Sequence, residues 1–341
     1  KWHLGYDVAF HPLNHGFDEF RGFVGGAVDY HTHVATHGSQ TLDWWQGREL
    51  RDEPGYATDL LSRYAVDFIA RNKQAPFFLL LAPGAPHVPW QGRAPAGRRS
   101  PTQTYAEMIG TLDDAVGAVV GALRAHGLEE KTLVVFCSDN GPAAPRGFPA
   151  NGALKGAKGD MTEGGHRVPF LVRWPAKVKP AVSAALIGQF DFLATFAEIT
   201  GATVPAGMGE DSVSFLPVLL GAKESVRQGI VSQSINGSFA IREGNWKLLL
   251  SAGSAGWSSP KPGPEEAGLP SVQLYDLSKD PGERKNLQAE FPERVASMKA
   301  ELEKLIARGR STPGPDLAND VPVQLIKQSP AGKAKTKAKK K

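Results

Sequence analysis

Asp139 and Asn140 stand directly beyond the apolar run Leu133–Phe136 in the segment T-L-V-V-F-C-S-D-N-G. That run has the length and β-branched content of a buried strand. A carboxylate and a carboxamide at the carboxyl end of a strand lie where open α/β sheets place their ligands. Both offer oxygen to a hard cation such as Ca²⁺ or Mg²⁺. Three further segments combine rare side chains with turn-forming neighbours. They are Lys1-Trp2-His3-Leu4-Gly5, Ala85-Pro86-His87-Val88-Pro89, and Lys155-Gly156-Ala157-Lys158-Gly159 leading into Glu163-Gly164-Gly165-His166-Arg167. Strand-end positions put His87 and Asp139 on the same edge of a parallel sheet. Lys158 lies in a Gly-rich loop whose backbone can approach a ligand closely. A hard-cation site with Lys and His donors suits a sulfate or phosphate ester, whose oxygens gain charge as the ester breaks.

Each of these residues also has a plain structural reading. Asp-Asn-Gly is good turn chemistry, because Asn and Gly tolerate positive φ. His87 between prolines reads equally as a rigid loop residue, Lys158 as a solvated charge, and Lys1 as an ordinary chain-end residue. Glu163 and Arg167 are read as a structural ion pair. Six of the nine histidines (His3, His11, His15, His31, His33 and His37) fall in the first fifty residues. Their spacing matches no H-E-x-x-H or Cys/His pattern, so loop roles are expected for most of them.

The elements that must position these residues follow from periodicity. Tyr56–Asn72 and Tyr105–His126 carry apolar stripes at helical spacing, and Gly127 can cap the second. Phe77–Leu81 and Leu133–Phe136 read as buried strands, and Val168–Trp174 as a further one. Asn151–Gly165, with five glycines, is a loop. Gln189–Thr200 reads as a helix. Helix–strand alternation of this kind indicates an α/β fold with parallel strands. Beyond about Ser225 the pattern changes to short strands at Ile230–Ser234, Phe239–Arg242, Trp246–Leu250 and Val272–Leu277. The amphipathic helix Phe291–Ala307 then follows, and together they suggest a small α+β subdomain with an antiparallel sheet. Residues from Ser311 onward are Pro-, Lys- and Ala-rich and are expected to be disordered.

The 341 residues allow two domains, or one large domain with an appendage. The formal charge of +4 is unevenly placed. Six lysines lie in Lys333–Lys341, and without them 33 basic side chains face 35 acidic ones. The pI of about 9.0 therefore describes the tail, and no basic cluster suited to nucleic acid is evident. A single cysteine, Cys137, excludes an intramolecular disulfide framework and a Cys-rich metal site. It reads as a buried, inert thiol. No stretch is long and apolar enough for a membrane-spanning helix. The chain begins K-W-H-L-G without a Met, so it reads as a fragment in which targeting is not legible.

In their order and number these segments resemble the type I, formylglycine-dependent sulfatases of the alkaline-phosphatase-like superfamily. The likeness in character is greatest to the arylsulfatase and N-acetylgalactosamine-sulfatase group. The resemblance runs to about Arg308. It rests on K-W-H-L-G, G-F-D-E-F-R-G-F-V-G-G-A-V-D-Y-H-T-H (Gly16–His33), A-P-H-V-P and Y-A-E-M-I-G-T-L-D-D-A-V-G (Tyr105–Gly117). It continues through S-D-N-G-P, L-K-G-A-K-G-D-M-T-E-G-G-H-R-V-P, W-K-L (Trp246–Leu248) and L-Y-D-L-S-K-D-P-G-E (Leu274–Glu283).

What the resemblance implies is specific. The fold would be an alkaline-phosphatase-like, mixed and mostly parallel sheet flanked by helices, with the small C-terminal α+β subdomain. Residues 1–225 would form the catalytic domain, 226–310 the subdomain and 311–341 a disordered tail. Asp139 and Asn140 would be two ligands of Ca²⁺, less often Mg²⁺. Lys1 and His3 would hold the formylglycine hydrate. His87 and Lys158 would bind the sulfate, one of them protonating the leaving alcohol. The partners would be a sulfated small molecule or glycan and a formylglycine-generating maturation enzyme. The location would be periplasmic, secreted or lysosomal. The family's C/S-x-P-S-R nucleophile motif and paired Asp-Asp metal motif do not occur in this sequence. The fragment alone is therefore expected to be inactive, and Asp139–Asn140 to be half of a cation site. The alternatives are a phosphodiester or phosphonate monoester hydrolase of the same superfamily, and a sulfatase-like protein that binds sulfated glycans without cleaving them.

Overall fold

The computed structural model describes residues 1–38, 40–94, 97, 99–143 and 151–327. The chain divides into two units, Lys1–Thr132 with Trp174–Ala176, and Leu133–Arg173 with the residues from Lys177 onward. The expected 225/226 boundary falls inside the second unit.

In the first unit, β1 (Arg21–Gly22), β2 (Trp45–Gln46) and β3 (Glu49–Leu50) form a small antiparallel sheet. Helices α1 (Ala57–Asn72) and α2 (Pro101–Ala125) pack on each other. Helix α2 begins four residues before the expected Tyr105. Ser100 and Gln103 close a capping box there, and Pro101 has the fixed φ suited to a first helical position. Phe23, Trp44, Tyr56, Leu60, Leu61 and Met108 form the core. The expected buried strand at Phe77–Leu81 is corrected by the structure. Among the described residues, the segment belongs to no strand. Phe78 and Leu80 are 59% and 54% exposed.

In the second unit, β4 (Val134–Cys137), the single turn α3 (Glu163–His166) and β5 (Phe170–Arg173) follow one another along the chain. The two strands pair antiparallel, with Val134 opposite Arg173 and Cys137 opposite Phe170. This corrects the parallel expectation for these strands, and every strand pair among the described residues is antiparallel. A parallel neighbour needs a crossover, usually a helix, and among the described residues between these strands the only helix is the single turn α3.

Helices α4 (Phe192–Thr200) and α5 (Leu216–Leu219) follow. The meander β6 (Gly229–Gln233), β7 (Phe239–Glu243), β8 (Trp246–Leu249) and β9 (Gln273–Asp276) then precedes helix α6 (Pro292–Arg308). The strands and the last helix stand where the sequence pattern places them. Alternate residues of the sheet serve different partners, as a period of two requires. Ile241, Leu248 and Leu274 pack with Met298 and Leu302 of α6. Ala240, Leu249 and Tyr275 pack with Met161 and Ala255 from two loops. The sheet is thus the platform on which the Gly-rich loop rests.

Of the stretch expected to be disordered, residues 328–341 lie outside the described residues. Its first part is hydrogen-bonded: the Ser311 amide donates to Asp211, the Thr312 hydroxyl to the Glu210 carbonyl, and the Leu317 amide to the Arg308 carbonyl. No helix among the described residues is long and apolar enough to cross a membrane.

Candidate active site

Lys1, His3 and His87 are held in the first unit by main-chain bonds. The Lys1 nitrogen donates to the Ala82 carbonyl at 2.8 Å, and the Trp2 and His3 amides donate to the Phe23 and Val24 carbonyls at 3.0 Å. His3 adopts φ 59°, and its imidazole lies over Gly26, where an added Cβ would fall 2.6 Å from Nε2. Buried Asp43 pins the same turn, accepting from the Val24 and Gly25 amides at 3.0 and 2.8 Å.

His87 sits between two cis X–Pro bonds, Ala85–Pro86 and Val88–Pro89. Its Nδ1 is 2.7 Å from the Val88 carbonyl. Its own carbonyl accepts from Tyr30 Oη at 3.0 Å. The loop is clamped at Gln91, whose Nε2 donates to Asp29 at 2.6 Å and whose Oε1 accepts from the Tyr30 amide at 2.8 Å. Burial raises the Asp29 pKa, but the Gln91 amide and the Thr32 and His31 amides outweigh it and hold the carboxyl at about 2. Asp29, Tyr30, Gln91 and Asp43 are supporting residues that residue types alone did not single out. Asp29 and Tyr30 lie in the Gly16–His33 stretch that carries part of the family resemblance. Of the clustered histidines, His33 is fully buried and stacks on Trp44 at 4.2 Å, and His11 packs edge-on against Phe20.

In the second unit the Lys158 turn is bonded to the residues just beyond Asp139 and Asn140. The Lys158 amide donates to the Pro142 carbonyl at 2.9 Å, and the Gly141 amide to the Gly165 carbonyl at 3.0 Å. Gly141 is not among the glycines at positive φ. It is required instead by close approach, since a Cβ there would lie 1.9 Å from the Gly164 carbonyl oxygen. The two lysines of K-G-A-K differ in role. Lys155 Nζ is engaged by the Glu283 carbonyl at 3.1 Å and Tyr275 Oη at 3.4 Å. Among the described residues, the Lys158 ammonium has no hydrogen-bond or ion-pair partner. Buried Asp160 shapes the turn, its Oδ2 accepting from the Ala157 amide at 2.8 Å. Cys137 is half-buried in β4, and burial and then nearby Asp139 push its thiol pKa up, so it stays protonated.

A buried ionic cluster fixes the far side of this loop. Lys247 Nζ lies 2.9 Å from Glu163 Oε1 and 3.1 Å from Glu283 Oε1, with all three side chains at most 2% exposed. Arg242 reaches Glu163 at 3.3 Å. The expected Glu163–Arg167 pair is present at 3.6 Å, with Arg167 half exposed. Burial opposes the Glu163 carboxylate, but His166 and Lys247 outweigh it and hold its pKa well below the usual carboxylate range. Burial prevails at Glu283 and raises it. Two carboxylates sharing one cation are expected to separate in this way.

Asp139 and Asn140 are hard oxygen donors of the kind Ca²⁺ and Mg²⁺ take, but Ca²⁺ takes about six to eight oxygens. Among the described residues no group of three or more His, Cys, Asp or Glu side chains is placed to hold a metal ion. The two side chains fit part of a cage.

Residues 1–202 match the family model described as Sulfatase. The chain is 31% identical over 295 residues to an N-acetylgalactosamine-6-O-sulfatase of Bacteroides thetaiotaomicron, a match covering 82% of this chain and 57% of the relative. It is 31% identical over 327 residues to human arylsulfatase A, covering 84% and 63%. The crystal structure of Ps i-CgsB in complex with k-i-k-neocarrahexaose superposes with a TM-score of 0.73 at 29% identity, covering 89% of this chain and 69% of that one. The chain therefore spans 57–63% of the length of these two sequence relatives. With the family model covering more than half the chain and these relatives most of it, the chain belongs to the sulfatase family.

Proposed function

We propose that the whole protein hydrolyses sulfate monoesters on a sulfated carbohydrate. The observation that carries this reading is the Lys158 turn. An ammonium without a partner among the described residues is carried on a Gly-rich backbone. That backbone is bonded to the segment bearing Asp139 and Asn140. Such a cation neutralises sulfuryl oxygens as charge develops on them. The relatives support a carbohydrate: one is named for N-acetylgalactosamine 6-O-sulfate, and one structure holds an oligosaccharide.

In this reading the chain's residues divide the work. Lys158 and His87 bind the sulfate. With His87 Nδ1–H donating to the Val88 carbonyl, Nε2 is the nitrogen whose protonation changes, and it delivers the proton to the departing alcohol oxygen. Lys1 and His3 orient the formylglycine side chain, for which this sequence has no C/S-x-P-S-R motif. Formylglycine supplies an activated oxygen nucleophile. Asp139 and Asn140 would contribute two oxygens to Ca²⁺, or Mg²⁺, which would supply positive charge for the sulfuryl oxygens.

The test is turnover by the full-length, matured protein on matched aryl sulfate and aryl phosphate esters. Sulfate preferred by orders of magnitude is expected. The reverse preference would overturn the sulfatase activity in favour of a phosphoester hydrolase. Tight capture of a sulfated glycan with no release of sulfate would favour a binding protein.

A further inference from the structure

Trp257 lies over the lysine turn, 98 residues on from Gly159 in sequence. A Cβ placed on Gly159 would sit 3.4 Å from Cδ2 and Cε3 of Trp257 and 3.3 Å from Cγ2 of Ile235. Both side chains therefore rest on the residue that follows Lys158. Both are also exposed to solvent, Trp257 by 44% and Ile235 by 60%.

Their position is built rather than loose. Asp160, 4% exposed, accepts from the Trp257 and Ser258 amides on Oδ1, at 2.9 and 3.2 Å. Its Oδ2 accepts from the Ala157 amide in the lysine turn. One buried carboxylate thus ties the Trp257 backbone to the lysine turn. The Met161 amide donates to the Ser254 carbonyl at 3.2 Å, and the Ile235 amide to the Gly159 carbonyl at 3.0 Å. The core contacts of Met161 with Ala255 tie the same two loops together.

We infer that Trp257, with Ile235 beside it, is the platform on which the pyranose ring of the sulfated sugar stacks while Lys158 holds the sulfate. An indole presents a large apolar face, which suits the C–H face of a pyranose. The ammonium of Lys158, the residue before Gly159, has no partner among the described residues and would complement the anionic substituent of that ring. A planar aryl group carrying the sulfate directly places no sugar there. Trp257 thereby selects for carbohydrate over simple aryl esters. The inference rests on the proposed sulfate role of Lys158.

The test is titration calorimetry on the full-length protein and its Trp257→Ala and Trp257→Phe variants. The probe is a disaccharide containing 6-O-sulfated N-acetylgalactosamine, with turnover of that disaccharide and of an aryl sulfate measured in parallel. Trp257→Ala should bind the disaccharide about tenfold or more weakly, Trp257→Phe should recover most of the loss, and aryl sulfate turnover should stay within about threefold. Equal disaccharide binding by Trp257→Ala and wild type would overturn the platform while leaving hydrolysis intact. Equal losses on sugar and aryl substrates would also overturn it, by showing a structural role. Trp257-dependent binding without sulfate release would support the platform and sink the hydrolytic reading instead.

Discussion

The amide of Lys158 donates to the carbonyl of Pro142 at 2.9 Å, which ties the cation turn to the segment that follows Asp139 and Asn140. The ammonium of Lys158 does not contribute to this link. Replacing it with Ala should leave stability within about 0.5 kcal/mol, as for other surface changes. It should lower kcat/KM for a sulfate ester by about 10²–10³, the scale for losing one charge-stabilising donor. Steady-state kinetics with a thermal melt separates the two effects. Unchanged kcat/KM would remove Lys158 from the site.

Gly141 should be irreplaceable for a reason other than turn conformation. The Cβ of Gly141→Ala would collide with the Gly164 carbonyl, so the two segments must part. Overpacking of this kind costs about 1–3 kcal/mol. Denaturant unfolding of the full-length variant checks it, and a variant as stable as wild type contradicts the close approach.

Asp160→Ala leaves the Ala157, Trp257 and Ser258 amides without their acceptor. Each buried donor left unsatisfied where water cannot reach it costs about 1–3 kcal/mol. Hydrogen exchange should quicken at these three amides before it does at the β7–β8 ladder. Uniform protection in the variant would show that Asp160 is not the clamp.

Lys247→Met should be among the most damaging single changes in the second unit. It strands Glu163 and Glu283 in the interior, and breaking a buried pair by removing one partner costs about 3–5 kcal/mol. Adding Glu283→Gln should recover part of this, because burial already raises that carboxyl. A Lys247→Met midpoint close to wild type contradicts the account of the cluster.

Acid should loosen the His87 loop through Asp29. Its folded pKa of about 2 lies below the unfolded value of about 3.9. The stability that Asp29 contributes is therefore full above about pH 4 and is lost as pH falls toward 2. Asp29→Asn should flatten the pH dependence across that window in a first-unit probe such as Trp44 fluorescence. Parallel pH profiles for variant and wild type would contradict it.

The sequence made some of this architecture legible and hid the rest for physical reasons. Local periodicity carried α1, α2, the β6–β9 meander and α6, because one-sided burial imprints a repeat on neighbouring residues. Glycine density likewise marked the lysine turn. Phe77–Leu81 misled because an apolar run says nothing about whether a partner strand is bonded beside it. Pairing direction between β4 and β5 depends on the intervening loop and not on either strand. The supports of the site are tertiary. Lys247 meets Glu163 across 84 positions and Trp257 meets Asp160 across 97, and no local pattern encodes such a pairing. His87 and Lys158 stood out by residue type and neighbours, whereas Asp43, Gln91 and Asp160 became visible only through the backbone amides they satisfy.

The most direct measurement is inorganic sulfate released from a 6-O-sulfated N-acetylgalactosamine disaccharide by the full-length, matured protein, with His87→Ala and Lys158→Ala alongside. The account predicts stoichiometric sulfate from wild type and a loss of about 10²-fold or more in each variant. Sulfate release by wild type that neither substitution diminishes would contradict it.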